Sequence, residues 1–236
     1  MNRMTLLIGM VGNDGVLLAA DTRTVEFAKN ENELDTDTDT CKIVQVNQLS
    51  AAFAFCGDYL TQKVRYAICD RMKSGADFDF SDVEKSLAQA ADKACNDLGP
   101  HLFADGRRRS LLVVLYGTNV SNQPQLWHVL IRTSYPAGSQ PLCTAIPITT
   151  RVPEGALGNT ARFLASYYQP GLPVAKLKFL AAHFILSGHR IDSTIDGLSI
   201  ALFDKQGCQW IEQPEKDRLR QKSSELDEDI RAKLFA

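Results

Sequence analysis

Thr5-Leu6-Leu7-Ile8-Gly9-Met10-Val11-Gly12-Asn13-Asp14-Gly15-Val16-Leu17-Leu18-Ala19-Ala20-Asp21-Thr22-Arg23 contains two strand-length apolar runs separated by Gly12-Asn13-Asp14-Gly15. Those four residues supply the positive-φ tolerance and side-chain acceptors that a tight hairpin turn needs, so the chain opens on a β-hairpin. Working outward, Lys42 to Val46 and Leu49 to Cys56 read as a second strand pair around Asn47-Gln48. Leu60, Val64, Ile68 and Met72 then recur at helical spacing, and Ser81 with Glu84 resembles a capping box ahead of Val83, Leu87, Ala91, Ala94 and Leu98. Ser110 to Tyr116 and Gln125 to Ile131 give another strand pair. Asn159 caps a short helix carrying Phe163 and Leu164, Pro173 opens a longer one closed by Gly188, and Leu198 to Phe203 pairs with Cys208 to Ile211.

That alternation of strand pairs with helix pairs is neither a run of βαβ units nor an all-β chain. It predicts an α+β protein whose apolar faces are all covered when two antiparallel sheets lie face to face between helix pairs, a four-layer αββα sandwich. One domain is expected over residues 5–213. Residues 214–236 follow as a charged helix, in which Leu219, Leu226, Ile230 and Leu234 keep one apolar stripe among six acidic and six basic residues. The stripe fits packing on its own subunit or on a neighbour.

Composition bounds the function. The 236 residues are 44% hydrophobic and 23% charged, the balance of a globular chain. A net charge of -2 and one isolated basic run, Arg107-Arg108-Arg109, argue against nucleic acid. Apolar stretches fall short of the roughly 18 residues of a membrane span. With no signal-peptide h-region and six scattered cysteines lacking a Cys-x-x-Cys pair, a cytoplasmic protein with reduced, mostly buried thiols is expected, without metal or organic cofactor.

The opening hairpin, Lys42-Ile43-Val44-Gln45-Val46 and the Gly57 that follows the next strand resemble the corresponding pieces of proteasome β-type subunits and of the bacterial peptidase HslV, within the N-terminal-nucleophile hydrolases. These pieces cover about the first quarter of the chain; beyond it only the order of elements agrees. The resemblance implies the four-layer fold of that superfamily and a threonine endopeptidase acting on unfolded proteins or peptides. It places Thr5 as nucleophile, Asp21 and Lys42 as its catalytic partners and the Gly57 N–H as oxyanion donor. Taken singly, Thr5 is an ordinary β-former, Asp21 a turn residue and Lys42 a solvated edge charge.

The chemistry accounts for those residue types. A Thr hydroxyl needs a base, and an N-terminal amine with a pKa of about 7.7–8.0 supplies one on the same residue. A positive Lys42 disfavours a second positive charge on that amine, and Asp21 holds Lys42 in place. Because an amide nitrogen cannot accept the proton, residues 1–4 are expected to be a leader removed or not translated, with initiation at Met4. The family's serine beside the N-terminus is replaced by Asn159 in Ala156-Leu157-Gly158-Asn159-Thr160. Asp192, with Ser193 or Thr194, is the counterpart of the residues that complete the site.

Glu31 to Asp39 packs five carboxylates into nine residues. An EF-hand loop starting at Asp35 would want Gly where Thr40 stands and Glu where Val46 stands, so calcium is not indicated. The segment reads as an acidic loop. In the family it lies near the inner cavity, which makes Asp35, Asp37 and Asp39 substrate-proximal, and an acidic interior is similar to the proteasome homologue of betaproteobacteria. The resemblance further implies a homo-oligomeric double ring of twelve or fourteen subunits, with an ATPase unfoldase as a further partner. Two alternatives keep the fold: an inactive structural subunit, or an N-terminal-nucleophile amidohydrolase for a small amide.

Overall fold

The computed structural model describes residues 5–27, 34–39, 41–75, 78–107, 109–117, 123–132, 141–155, 167–191 and 195–235. Its first hairpin is β1 (Leu6–Val11) and β2 (Val16–Ala20), closed by the Gly12 N–H donating to the Gly15 carbonyl at 2.8 Å. Asp14 in that turn does more than bend the chain: its carboxylate accepts from the Val174 N–H at 2.8 Å and so caps a distant helix. A separate two-stranded antiparallel ribbon follows, β3 (Arg23–Phe27) with β4 (Leu34–Asp39). The segment from Leu34 to Asp39 is thus a paired strand rather than a loop; Thr36 and Thr38 between the aspartates supply the period-two, β-branched pattern that favours extended backbone.

β5 (Ile43–Val46), β6 (Ala51–Cys56), β7 (Arg109–Leu115), β8 (Gln125–Arg132) and β9 (Leu142–Ile148) form one antiparallel sheet in that order. The other runs β10–β1–β2–β11–β12, with β10 (Arg151–Gly155), β11 (Ser199–Asp204) and β12 (Gly207–Trp210). Among the described residues there are four α-helices: α1 (Tyr59–Ser74), α2 (Val83–Leu98), α3 (Val174–Ile191) and α4 (Gln213–Phe235). The protein is α+β, with two antiparallel sheets. β9 and β10 lie where the sequence reading assigned no strands. The short helix at Asn159 falls outside the described residues. Asp82, not Ser81, caps α2, its carboxylate accepting from the Lys85 N–H at 3.3 Å.

Buried side chains fall into three clusters. Leu111, Val113 and Leu115 of β7 join Val64 and Ile68 of α1 and Leu87, Ala91 and Ala94 of α2. The intervening Leu112 and Val114 join Leu7, Val16 and Leu18 of the other sheet. Leu6, Ile8, Met10 and Leu17 point the other way, onto Leu177, Ala181 and Phe184 of α3. Both faces of β1, β2 and β7 are therefore covered, which is why these strands read as unbroken apolar runs rather than alternating ones. Truncating a fully buried core ring such as Phe53 should cost about 3–5 kcal/mol.

α4 answers part of the open question about its stripe. It docks on α3 from Glu215 to Asp227, through buried Leu219, a His183–Ser223 contact of 2.9 Å and the Lys178–Glu215 and Arg190–Asp227 ion pairs. Leu226, Ile230 and Leu234 are exposed. No described helix is long and apolar enough to cross a membrane. Three cysteines are buried, Cys56 and Cys208 half-buried, and Cys41 is exposed.

Candidate active site

The β1–β2 register sets Leu6 opposite Asp21, and the two residues exchange hydrogen bonds. The Asp21 N–H donates to the Leu6 carbonyl at 3.0 Å, while the Leu6 N–H donates to Asp21 Oδ1 at 2.8 Å. The carboxylate thus sits against the peptide joining Thr5 to Leu6. Its other oxygen accepts from Lys42 Nζ at 2.6 Å, delivered from the other sheet by the residue just before β5. Thr5, Asp21 and Lys42 are 6%, 0% and 3% exposed. Lys42 is therefore not the solvated edge charge that a strand-opening lysine ordinarily is.

A buried ion pair is a poor device for stability, since desolvating both charges costs about as much as their attraction returns. Burial pushes Asp21 above the usual carboxylate range, against the pull of Lys42 and the Leu6 N–H. Burial likewise pushes Lys42 down, against the pull of Asp21 and a smaller contribution from Cys56. The pair holds its proton less one-sidedly than it would in water, which suits groups that handle protons. Ser199, buried and in register with Ala20, lies beside this centre, with Cys41 Sγ 3.9 Å from its hydroxyl.

Gly57 stands between β6 and α1 at φ +134°, a backbone that L side chains rarely adopt, and a Cβ there would meet Thr61 Oγ1 at 2.5 Å. Gly155, at the end of β10, has φ +116°, and a side chain on it would collide with the Thr5 carbonyl oxygen. Next to it Glu154 is buried, accepting from the Ser110 hydroxyl at 3.0 Å and standing 3.0 Å from His128 Nε2, whose ring is out of line for a hydrogen bond. This Ser110–Glu154–His128 group escaped the sequence reading. Its members sit in three separate strands, and the one available signal was the polar His128 within the apolar run of Leu126 to Ile131.

Asp35, Asp37 and Asp39 lie on β4, in backbone register with β3. Asn159, Asp192, Ser193 and Thr194 lie outside the described residues. Among the described residues no group of three His, Cys, Asp or Glu is arranged to hold a metal ion.

No protein-family model matches the chain, and no curated protein matches it in sequence. Solved structures do. An ancestral β-subunit, Anbu, from Yersinia bercovieri superposes with a TM-score of 0.67 at 15% identity over 96% of both chains. The fold is similar to that of Anbu. Anbu from Hyphomicrobium sp. strain MC1 matches at TM-score 0.67 and 12% identity over 97% of each chain. The Anbu complex from Pseudomonas aeruginosa, described as a helical assembly, matches at 0.70 and 14% over 98% of this chain and 97% of its own. These matches overturn the HslV-like assignment, and with it the betaproteobacterial one: the structures that superpose over nearly the whole chain are Anbu proteins, a distinct proteasome-like family. At these identities the likeness to Anbu fixes the fold and leaves the chemistry to this chain's own residues.

Proposed function

We propose that the protein is a proteasome-like subunit with threonine endopeptidase activity, built on the four-layer N-terminal-nucleophile arrangement and acting on unfolded polypeptides or peptides. The observation that carries the reading is the buried Lys42–Asp21 pair, hydrogen-bonded through Asp21 to the amide beside Thr5. A lysine and an aspartate from two sheets meet beside the start of the opening strand, where a core would place apolar residues. In this mechanism the mature chain begins at Thr5. Its α-amine takes the hydroxyl proton, directly or through one water, and the alkoxide attacks the substrate carbonyl. Lys42 is positive beside that amine and keeps it neutral, and its lowered pKa makes it a strong donor to the developing oxygen nucleophile. Asp21 orients Lys42. The Gly57 N–H donates a hydrogen bond to the negative charge that develops on the carbonyl oxygen. The proton held by the amine passes to the leaving nitrogen, and water then hydrolyses the ester on Thr5 by the same route in reverse.

Self-association and a cytoplasmic location belong to the same reading. The helical assembly of the Pseudomonas aeruginosa protein supports a homo-oligomer; it does not carry a closed double ring or an ATPase partner. Asn159, Asp192 and Ser193 or Thr194 remain proposed supporting residues, and Asp35, Asp37 and Asp39 remain proposed to face the substrate path. Hydrolysis of fluorogenic peptides by the wild type and by Thr5→Ala tests the assignment. Turnover in the wild type and none in the variant is expected, while equal turnover in both would remove Thr5 from the chemistry.

A further inference from the structure

Resting on that reading, we infer that Arg109 is a positioning residue for the oxyanion donor, acting through Asp58 on the Gly57 peptide. Gly57 is a single flexible residue between two anchors. On one side Cys56, the last residue of β6, is in ladder register with Ser110 of β7. On the other side Asp58 caps α1, its Oδ1 accepting from the N–H groups of Leu60 at 3.1 Å and Thr61 at 3.3 Å. Arg109, the residue before Ser110, grips that same carboxylate with two bonds, Nε to Oδ1 at 2.9 Å and Nη2 to Oδ2 at 2.6 Å. Two consecutive residues of β7 therefore hold both flanks of Gly57, Ser110 through the backbone ladder and Arg109 through its side chain.

The guanidinium is itself held. Arg109 is 1% exposed, its Nη1 and Nη2 donate to Asp105 at 2.9 and 2.7 Å, and its charge lies 5.3 Å from the centre of the Phe103 ring. Its Cγ lies 3.4 Å from where a Cβ on Gly57 would stand, so the aliphatic stem packs along the glycine itself. A planar two-bond fork fixes the orientation of a carboxylate, whereas a lysine would supply charge without that geometry. Arg107 also approaches this carboxylate, Nη1 to Asp58 Oδ2 at 3.9 Å, from a half-exposed position. Burial pulls the Asp58 carboxyl up, but the hydrogen bonds and charge of Arg109 outweigh it and hold it below the usual range, so the fork stays charged at neutral pH. Within the basic run that reads as a surface patch in sequence, Arg109 is the first residue of a fully buried strand.

Arg109→Lys and Asp58→Asn test this. Asn preserves the side-chain acceptor that caps α1, so Asp58→Asn keeps the fold and decides the matter should Arg109→Lys not fold. A peptide aldehyde, which adds to the Thr5 hydroxyl and places an oxyanion against the Gly57 N–H, is compared with the corresponding peptide alcohol, which cannot. In each variant kcat should fall about tenfold or more with KM little changed, a fraction of the ~10²–10³ that losing an oxyanion donor costs. Aldehyde affinity should fall with kcat while alcohol affinity stays at the wild-type value. Equal weakening of both ligands, or a wild-type aldehyde-to-alcohol ratio in both variants, would overturn the positioning role. A wild-type protein that shows no aldehyde preference and retains activity as Thr5→Ala would instead overturn the reading on which it rests.

Discussion

Lys42 shows how burial changes the meaning of a residue. As a solvated edge charge it could be removed with little effect on the fold; at 3% exposure and 2.6 Å from a wholly buried carboxylate it cannot. Lys42→Ala should abolish peptide turnover and also cost about 3–5 kcal/mol, because it leaves a buried Asp21 charge without its counter-ion. The pH dependence has a definite sign. With its folded-state pKa raised above the unfolded value near 3.9, Asp21 favours the fold at low pH and loses that contribution as pH rises through its folded pKa. The destabilisation of Lys42→Ala should therefore be largest at neutral pH and shrink toward pH 4, as followed by urea denaturation. The double variant Lys42→Met with Asp21→Asn should recover stability without recovering activity. The Asp21–Lys42 pair was legible because each residue borders an apolar run, at a spacing the resemblance made recognisable. Arg109, Asp58 and the Ser110–Glu154–His128 group were not, because Arg109 and Asp58 are 51 residues apart in sequence, Ser110 and Glu154 44, and His128 and Glu154 on different sheets, and local pattern carries no information on such meetings.

At the scale of elements, the hairpin β1–β2, the strands β5 to β8 and the helices α1 to α3 were readable from apolar periodicity. β9 and β10 were not, since Pro147 and Pro153 interrupt runs that are half exposed at the sheet edges, the places where proline is tolerated. Edge position gives β10 a testable role. Gly155→Ala would force the Thr5 carbonyl to move, and a misplacement of about 1 Å can cost 10²-fold in rate. Loss of activity well beyond the loss of thermal stability is expected, and unchanged kcat would show that β10 does not set the position of Thr5. The α3–α4 contact depends on a histidine. Burial, with Arg190 nearby, depresses the pKa of His183, which meets Ser223 at 2.9 Å. A depressed pKa means that its contribution to stability is complete above the unfolded value near 6.5 and is lost as pH falls through the folded value. The protection of the α4 amides against hydrogen exchange, relative to their intrinsic rates, should fall below about pH 6.5 in the wild type, and this fall should be absent in His183→Gln.

At the scale of the molecule, the two sheets meet through one apolar cluster, and the candidate site lies where β1 and β2 of one sheet approach β5 and β6 of the other. A charge centre shared between sheets is one that neither sheet can assemble alone, so activity should disappear with tertiary structure rather than with any single element. The proposed self-association makes a claim about size: sedimentation of the purified protein should show multiples of the 26.1 kDa chain, and a monomer that hydrolyses small amides would favour the amidohydrolase alternative. The central claim is that Thr5 acts through its own free amine. Intact-mass analysis after reaction with a peptide epoxyketone tests it most directly, since ring closure on this reagent uses the hydroxyl and the α-amine of one residue. The account requires a single adduct on a chain that begins at Thr5, absent from Thr5→Ala. A fully active protein that still carries Met4 on Thr5 and takes up no reagent would contradict it.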